Sequence, residues 1–226
     1  MNCSLKLIAA LALAALALPA QSPSEFQRDP SGWENILPPA DLHGWTRLPI
    51  NAPAVDPVNQ WHREGDRLVC TGDRGHEWLR MDRETGDFLF HAEFRFLDDP
   101  RGKGYNSGLF VRTAADYTNS LSSWVQMQVG SPVGAYLFGV LPFDGRLRGF
   151  NTADRLKTPA LTAPGVWNVV EITARGPVLT VWANGALVCE YPYTTVARGH
   201  IGLEAEGYKI EFRNLKLKSF EPAGSH

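Results

Sequence analysis

The chain has 226 residues, with 22 basic and 24 acidic side chains and a formal net charge of -2. That balance attracts neither nucleic acid nor an anionic membrane surface. The length suits one sizeable β domain or two small ones, and we take one.

Residues 1–20 carry Lys6, an apolar run from Leu7 to Leu18, then Pro19 and Ala20 before a polar segment. This is the layout of a secretory signal peptide, and the run is too short to span a bilayer unaided. The expectation is a secreted or periplasmic protein with no stable membrane insertion after signal cleavage. Removing Lys6 makes the mature chain one charge more negative. Cys70 and Cys189 are then its only cysteines, each inside a strand-like run. Export permits a disulfide between them, and two separately buried thiols fit as well.

Residues 21–31 are polar and read as a flexible leader, residues 32–220 as a single domain, and residues 221–226 as a tail. Pro49, Pro53 and Pro57 mark an extended surface loop. Strand-like segments follow: Trp61 to Glu64 and Arg67 to Thr71 around a Gly65-Asp66 turn, Trp78 to Met81, Phe88 to Leu97, Gly108 to Thr113, Ser123 to Val129, Ala135 to Leu141 and Trp167 to Ala174. Val178 to Ala183 and Ala186 to Glu190 flank Asn184-Gly185, a hairpin signal because the two-residue turn needs positive φ at both positions. Phe88, Phe90, Ala92, Phe94 and Phe96 alternate with Leu89, His91, Glu93, Arg95 and Leu97, which pins the register of that strand.

Residues 199–214 read as a second hairpin. Ile201, Leu203 and Ala205 face one way, Gly202, Glu204 and Glu206 the other, and Gly207-Tyr208 closes the turn. Ile210 and Phe212 differ in parity from Leu215 and Leu217, which predicts a β-bulge at Arg213-Asn214. Many short strands, seven tryptophans and frequent Gly and Pro predict an all-β fold, a two-sheet antiparallel jelly-roll sandwich.

A set of short pieces occurs in order: Gly44-Trp45, Trp61, Gly65 to Val69, Trp78 to Arg80, Gly86 to Phe88, Glu93 to Arg95, Asn106 to Arg112, Trp167-Asn168, Glu171-Ile172, Asn184-Gly185, Ile201 to Gly207 and Ile210 to Asn214. No single piece is specific, but the ordered set resembles the DUF1080 family, the 3-keto-disaccharide hydrolase domain, from about Trp33 to Phe220. The resemblance implies a concanavalin A-like jelly roll, of the lectin and glucanase type, working on carbohydrate outside the cytoplasm. The chain departs from the family in carrying Gln126 and Gln128 where an acid followed two positions later by Gln is common, and Glu204 where Gln often stands.

Alternation places His91, Glu93 and Arg95, Phe110 and Arg112, Trp124, Gln126 and Gln128, and Glu204 and Glu206 opposite the core. Amides, carboxylates and aromatic rings on one face suit a sugar. Solvated outer faces of sandwich strands meet the same pattern, and it is the resemblance that favours a groove. Arg112 needs a carboxylate or ligand if covered, and Glu93 or Glu206 supplies one, in an ion pair or a site. Asn106 fits a turn or a ligand contact, and Trp78 and Trp124 fit platforms or core. Lys157, in a long loop, is a candidate because the family often has a lysine there.

The function that the resemblance implies is hydrolysis of 3-keto-glycosides. A ketone at C3 acidifies the C2 proton, so one base and an enolate stabiliser expel the C1 substituent, after which water adds. Glu206 is the expected base with Glu93 competing, and Arg112 or Lys157 is the stabiliser. Asn106, Gln126 and Gln128 hold hydroxyls, with Arg95, Trp124 and Glu204 completing the binding set. The alternative reading is a non-catalytic, lectin-like carbohydrate-binding domain, motivated by Gln126.

Other chemistries lack their signatures. The Glu-x-Asp-x-x-Glu strand motif of glucanases is missing, the six histidines show no metal-like spacing, and neither Gly-x-Ser-x-Gly nor a phosphate loop occurs. No cofactor is expected, although structural calcium would leave little trace in sequence.

Overall fold

The structure, a computed structural model, describes residues 22–97, 104–118, 121–131, 133–156 and 160–220. The expected signal peptide, Lys157 and the tail at 221–226 lie outside these residues.

The strands are β1 (Glu34–Asn35), β2 (Trp45–Pro49), β3 (Trp61–Glu64), β4 (Arg67–Cys70), β5 (Glu77–Met81), β6 (Phe88–Phe96), β7 (Tyr105–Thr113), β8 (Trp124–Ser131), β9 (Leu137–Phe143), β10 (Arg146–Asn151), β11 (Asn168–Arg175), β12 (Val178–Ala183), β13 (Ala186–Tyr191), β14 (His200–Ala205) and β15 (Ile210–Ser219). Helix among the described residues amounts to α1 (Glu25–Arg28) and one 3-10 turn, Ala153–Arg155. The first sheet runs β13-β12-β11-β6-β15-β4-β3, with β1 also on β15, and the second runs β10-β9-β8-β7-β14-β5-β2. Every ladder described is antiparallel. The architecture is the two-sheet jelly roll that the strand pattern predicts.

Alternation fills the space between the sheets. Phe88, Phe90, Ala92, Phe94 and Phe96 of β6 meet Leu109 and Val111 of β7, Val125, Met127 and Val129 of β8, and Ile201, Leu203 and Ala205 of β14 in one buried cluster. Each large side chain so covered stabilises the fold by about 1.5–3 kcal/mol. Asn184 and Gly185 take φ of 46° and 105° between β12 and β13, as the hairpin turn requires. The bulge in β15 is present too, with its register shift between Arg213 and Lys216 and Asn214 at φ 48°.

The reading of residues 199–214 as a hairpin is not what the structure shows. β14 pairs with β5 and β7 in the second sheet, and β15 pairs with β4 and β6 in the first. Gly207, at φ 82°, sits in the corner where the chain changes sheets. Period-two alternation says which residues face the core and carries no information on which sheet the strand joins.

Residues 22–31, read as part of a leader, pack on the outside of the first sheet. Ser24 caps α1 by accepting from Gln27 N at 3.1 Å, while Ser24 N donates to Gln27 Oε1 at 2.9 Å. Glu25 N and Phe26 N donate to the Glu171 carboxylate at 2.8 and 2.9 Å, and the Phe26 ring lies 4.8 Å from that of buried His91. Cys70 and Cys189 are both buried and unbridged, with Cys189 Sγ 3.0 Å from Thr152 Oγ1.

Candidate functional site

The outward positions of four neighbouring strands in the second sheet bring most of the expected binding side chains together. β7 supplies Asn106, β8 supplies Trp124, Gln126 and Gln128, β14 supplies Glu204, and Glu206 follows directly after β14. The segment entering β5 adds His76. Register explains the meeting: Gln126 stands opposite Phe110, Leu203 opposite Leu109 and Glu204 opposite Trp78.

Two hydrogen-bonded chains cross this face. In one, Gln126 Nε2 donates to Glu204 Oε2 at 2.7 Å and Glu204 Oε1 meets His76 Nε2 at 2.8 Å. In the other, Gln128 Nε2 donates to Asn106 Oδ1, and Asn106 Nδ2 donates to Glu206 Oε2 at 2.5 Å. Ser107 Oγ secures the Glu204 backbone carbonyl at 2.8 Å. Glycines make room for these side chains to lie flat. A Cβ on Gly108 would stand 1.9 Å from Gln126 Nε2, and one on Gly202 would stand 2.4 Å from the Trp78 ring.

The electrostatics follow from burial and from two acids sharing one histidine. Burial opposes the His76 imidazolium, but the hydrogen bond and charge of Glu204, with Glu206 adding, raise its pKa above the ordinary histidine value. Burial and then the charge of Glu204 raise Glu206 above the usual carboxylate range, His76 offsetting part of the effect. A carboxyl with a raised pKa is a stronger base once ionised, which suits proton abstraction from carbon. One ligand atom each from His76, Glu204 and Glu206 lie within 4.8 Å of one another, close enough for a divalent cation to bridge. Histidine spacing in the sequence gave no hint of this, because His76 and Glu204 are 128 residues apart.

Three expected residues stand elsewhere. Glu93 and Arg95 are on β6, whose polar side faces out from the first sheet. There Glu93 accepts from Arg213 Nε and Asn214 Nδ2, each at 2.7 Å. Burial works to raise its pKa, but the nearby His91 ring and the bonds from Asn214 and Arg213 win and hold it at about 2, which makes it a poor base. Arg95 Nε donates to Glu211 Oε2 at 2.6 Å, and its guanidinium lies 4.7 Å from the Trp167 ring centre. Arg112, also expected at the site, is wholly buried and tied to Gly176 O at 2.6 Å, Val196 O at 3.2 Å and Asp87 Oδ1 at 2.7 Å. It has φ 47° at a register shift between β7 and β14, where a Cβ on Gly199 would stand 2.4 Å from its carbonyl carbon. This bulge breaks the alternation that would have aimed the side chain alongside Phe110.

Trp78 is fully buried against Phe110 and Tyr117, so of the two possible platforms only Trp124 keeps exposed surface. His76 is the residue that the sequence reading missed. It shares parity with Trp78 but sits just ahead of the apolar run that marks the strand.

Fold and polar sheet face together define a jelly-roll domain of the carbohydrate-related type. Similar solved structures agree on the fold: a provisionally assigned glycosyl hydrolase from Parabacteroides distasonis (TM-score 0.61, 15% identity, 89% of this chain and 99% of that one), the carbohydrate-binding module CBM66 from Bacillus subtilis (0.57, 17%, 78% and 96%), and a Bacillus subtilis protein of unknown function with a galectin-like fold (0.51, 14%, 83% and 94%). No curated protein matches the sequence. The chain belongs to the 3-keto-alpha-glucoside-1,2-lyase-like domain family, whose model matches residues 32–218.

Proposed function

We propose that this protein cleaves 3-keto-glycosides outside the cytoplasm by elimination followed by hydration, with Glu206 as the base. The observation that carries the reading is the placement of Glu206 beside the Glu204–His76 pair on a sheet face lined with amides.

Glu206 removes the C2 proton of the oxidised sugar, and negative charge collects on the C3 oxygen. The C1–O bond breaks, and water then adds across the C1=C2 bond to give the free 3-keto sugar. His76, whose cationic form Glu204 and Glu206 favour, takes the stabilising role first expected of Arg112 or Lys157. Asn106 fixes the Glu206 carboxylate, Gln126 fixes that of Glu204, and Gln128 steadies Asn106. Trp124 offers ring surface beside the amides.

The test is turnover of a 3-keto-disaccharide by Glu206→Gln and Glu93→Gln variants side by side. Loss of the base should reduce kcat by about 10²–10⁴-fold, whereas Glu93→Gln should remain active. Full turnover by Glu206→Gln would overturn the assignment.

A further inference from the structure

The outer face of the second sheet changes character along its width. From β14 to β8 it carries the amides and acids of the site beside the buried Trp78–Phe110–Tyr117 cluster, while the outward positions next along it, Trp124, Tyr136, Phe138, Val140, Pro142 and Leu147, are almost entirely apolar. All of them keep solvent-exposed surface, Leu147 at 45%. At Gly149 of the edge strand β10, an added Cβ would meet no atom of the described residues closer than Gly139 O at 3.8 Å. Besides a covered and unpartnered Trp124 Nε1, the outward hydrogen-bonding side chains of this shelf among the described residues are Tyr136 and Asn151.

We infer that this shelf is the leaving-group subsite and that it takes an aromatic aglycone, which makes aryl 3-keto-glucosides the preferred substrates. The inference rests on the elimination reading of Glu206. Three lines of geometry lead to it. First, Phe138 stands directly opposite Gln126, and the three strand spacings from β14 to β9 come to roughly 14 Å, room for one sugar ring over the amides and one further ring over Phe138. Second, a second sugar would bring hydroxyls that this shelf leaves without partners, at a cost for every polar group so covered. Third, Trp124 and Phe138 meet edge to face at 5.3 Å and 89°, and Tyr136 and Phe138 lie 5.6 Å apart at 45°, an arrangement that another aromatic ring extends.

Leaving-group chemistry points the same way. When Glu206 takes the C2 proton, the C1–O electron pair departs with the oxygen. A phenol, with a pKa of about 10 like that of tyrosine, leaves as phenolate without a proton donor, and no carboxyl, histidine or lysine stands at an outward position of the shelf among the described residues. Phenolate then takes up the proton that Glu206 releases. Water supplies hydroxide to C1 and a proton to C2, so the sum is aryl 3-keto-glucoside plus water giving phenol and 3-keto-glucose.

The experiment compares kcat/KM for phenyl 3-keto-glucosides of both anomers with that for a 3-keto-disaccharide, in wild type and in Phe138→Ser, a substitution at a partly exposed position. Wild type should favour the aryl substrate at least about tenfold, and Phe138→Ser should remove most of that preference while leaving the disaccharide within about twofold. Equal losses on both substrates, or a wild-type preference for the disaccharide, would overturn the inference. So would a wild-type dimer in sedimentation that Phe138→Ser dissociates, since the shelf would then be an interface between copies. If Glu206→Gln is as active as wild type the elimination reading fails, yet the aryl-to-sugar ratio still decides the subsite. If wild type turns over neither substrate, quenching of tryptophan fluorescence by phenyl glucoside decides instead: binding weakened by Phe138→Ser supports the subsite, and no binding refutes it.

Discussion

Gly108→Ala tests the site with a single methyl group and no change of charge. In a strand interior the substitution should by itself stabilise the protein by roughly 0.5–1 kcal/mol, because glycine loses more backbone freedom on folding. Here the new Cβ would lie 1.9, 2.4 and 2.6 Å from Nε2, Cδ and Cγ of Gln126, so the amide must leave its place and give up its 2.7 Å bond to Glu204. A hydrogen bond to a charged group contributes about 1.5–3 kcal/mol, and Glu204 is only 4% exposed, so water does not readily replace the lost donor. The expected result is a net destabilisation of about 1–2 kcal/mol, with a roughly tenfold fall in kcat as Glu204 and His76 lose their fixed geometry. Urea melts and turnover of a 3-keto-glucoside read the two effects. A double-mutant cycle sharpens the test: Gln126→Ala clears the space, so Gly108→Ala added to it should do no further harm. A stabilised, fully active Gly108→Ala, or strictly additive effects in the cycle, would refute the reasoning.

Removing the charge of His76 should move Glu206 further from its ordinary pKa, since His76 lowers it. The acid limb of kcat/KM against pH is therefore expected at higher pH in His76→Gln than in wild type. Arg112→Met should cost about 3 kcal/mol in denaturant melts by removing the buried partner of the half-buried Asp87 and leaving the carbonyls of Gly176 and Val196 without that donor. An equally stable but inactive Arg112→Met would return that residue to the catalytic group. Glu93 has a folded-state pKa depressed from 4.5 to about 2, so its contribution to stability is present above about pH 4.5 and is lost as the pH falls toward 2. Wild type and Glu93→Gln should accordingly differ in melting temperature at pH 6 and converge near pH 2, and a gap that persisted at pH 2 would contradict the pairing with Arg213 and Asn214.

The alternating residues of β6, β8, β11 and β12 announce strands, their core faces and, at Asn184-Gly185, a turn, because the inside–outside period is a local property. Sheet membership is not local. Glu93 and Glu206 share the same pattern, greasy on one side and charged on the other, yet end on opposite outsides of the sandwich because β6 and β14 joined different sheets. Arg112 was lost to a bulge with no warning glycine of its own, the accommodating glycine being Gly199 on the neighbouring strand. Gln126, Gln128, Asn106, Glu204 and, one residue past the end of β14, Glu206 were legible because an unbroken strand preserves parity. His76 was legible in principle, had parity been carried two residues ahead of Trp78.

The amino-terminal strap decides where this domain can be cut. Sequence similarity begins at residue 32, but Ser22 N already bonds Gly185 O at 3.1 Å, and the peptide N–H groups of Glu25 and Phe26 complete the solvation of Glu171. An excised fragment starting at the alignment boundary would strip the covering from a His–Glu pair and from the aromatic surface around it. A fragment cut at residue 32 is therefore expected to melt at lower temperature and to expose more apolar surface than the chain that keeps residues 22–31.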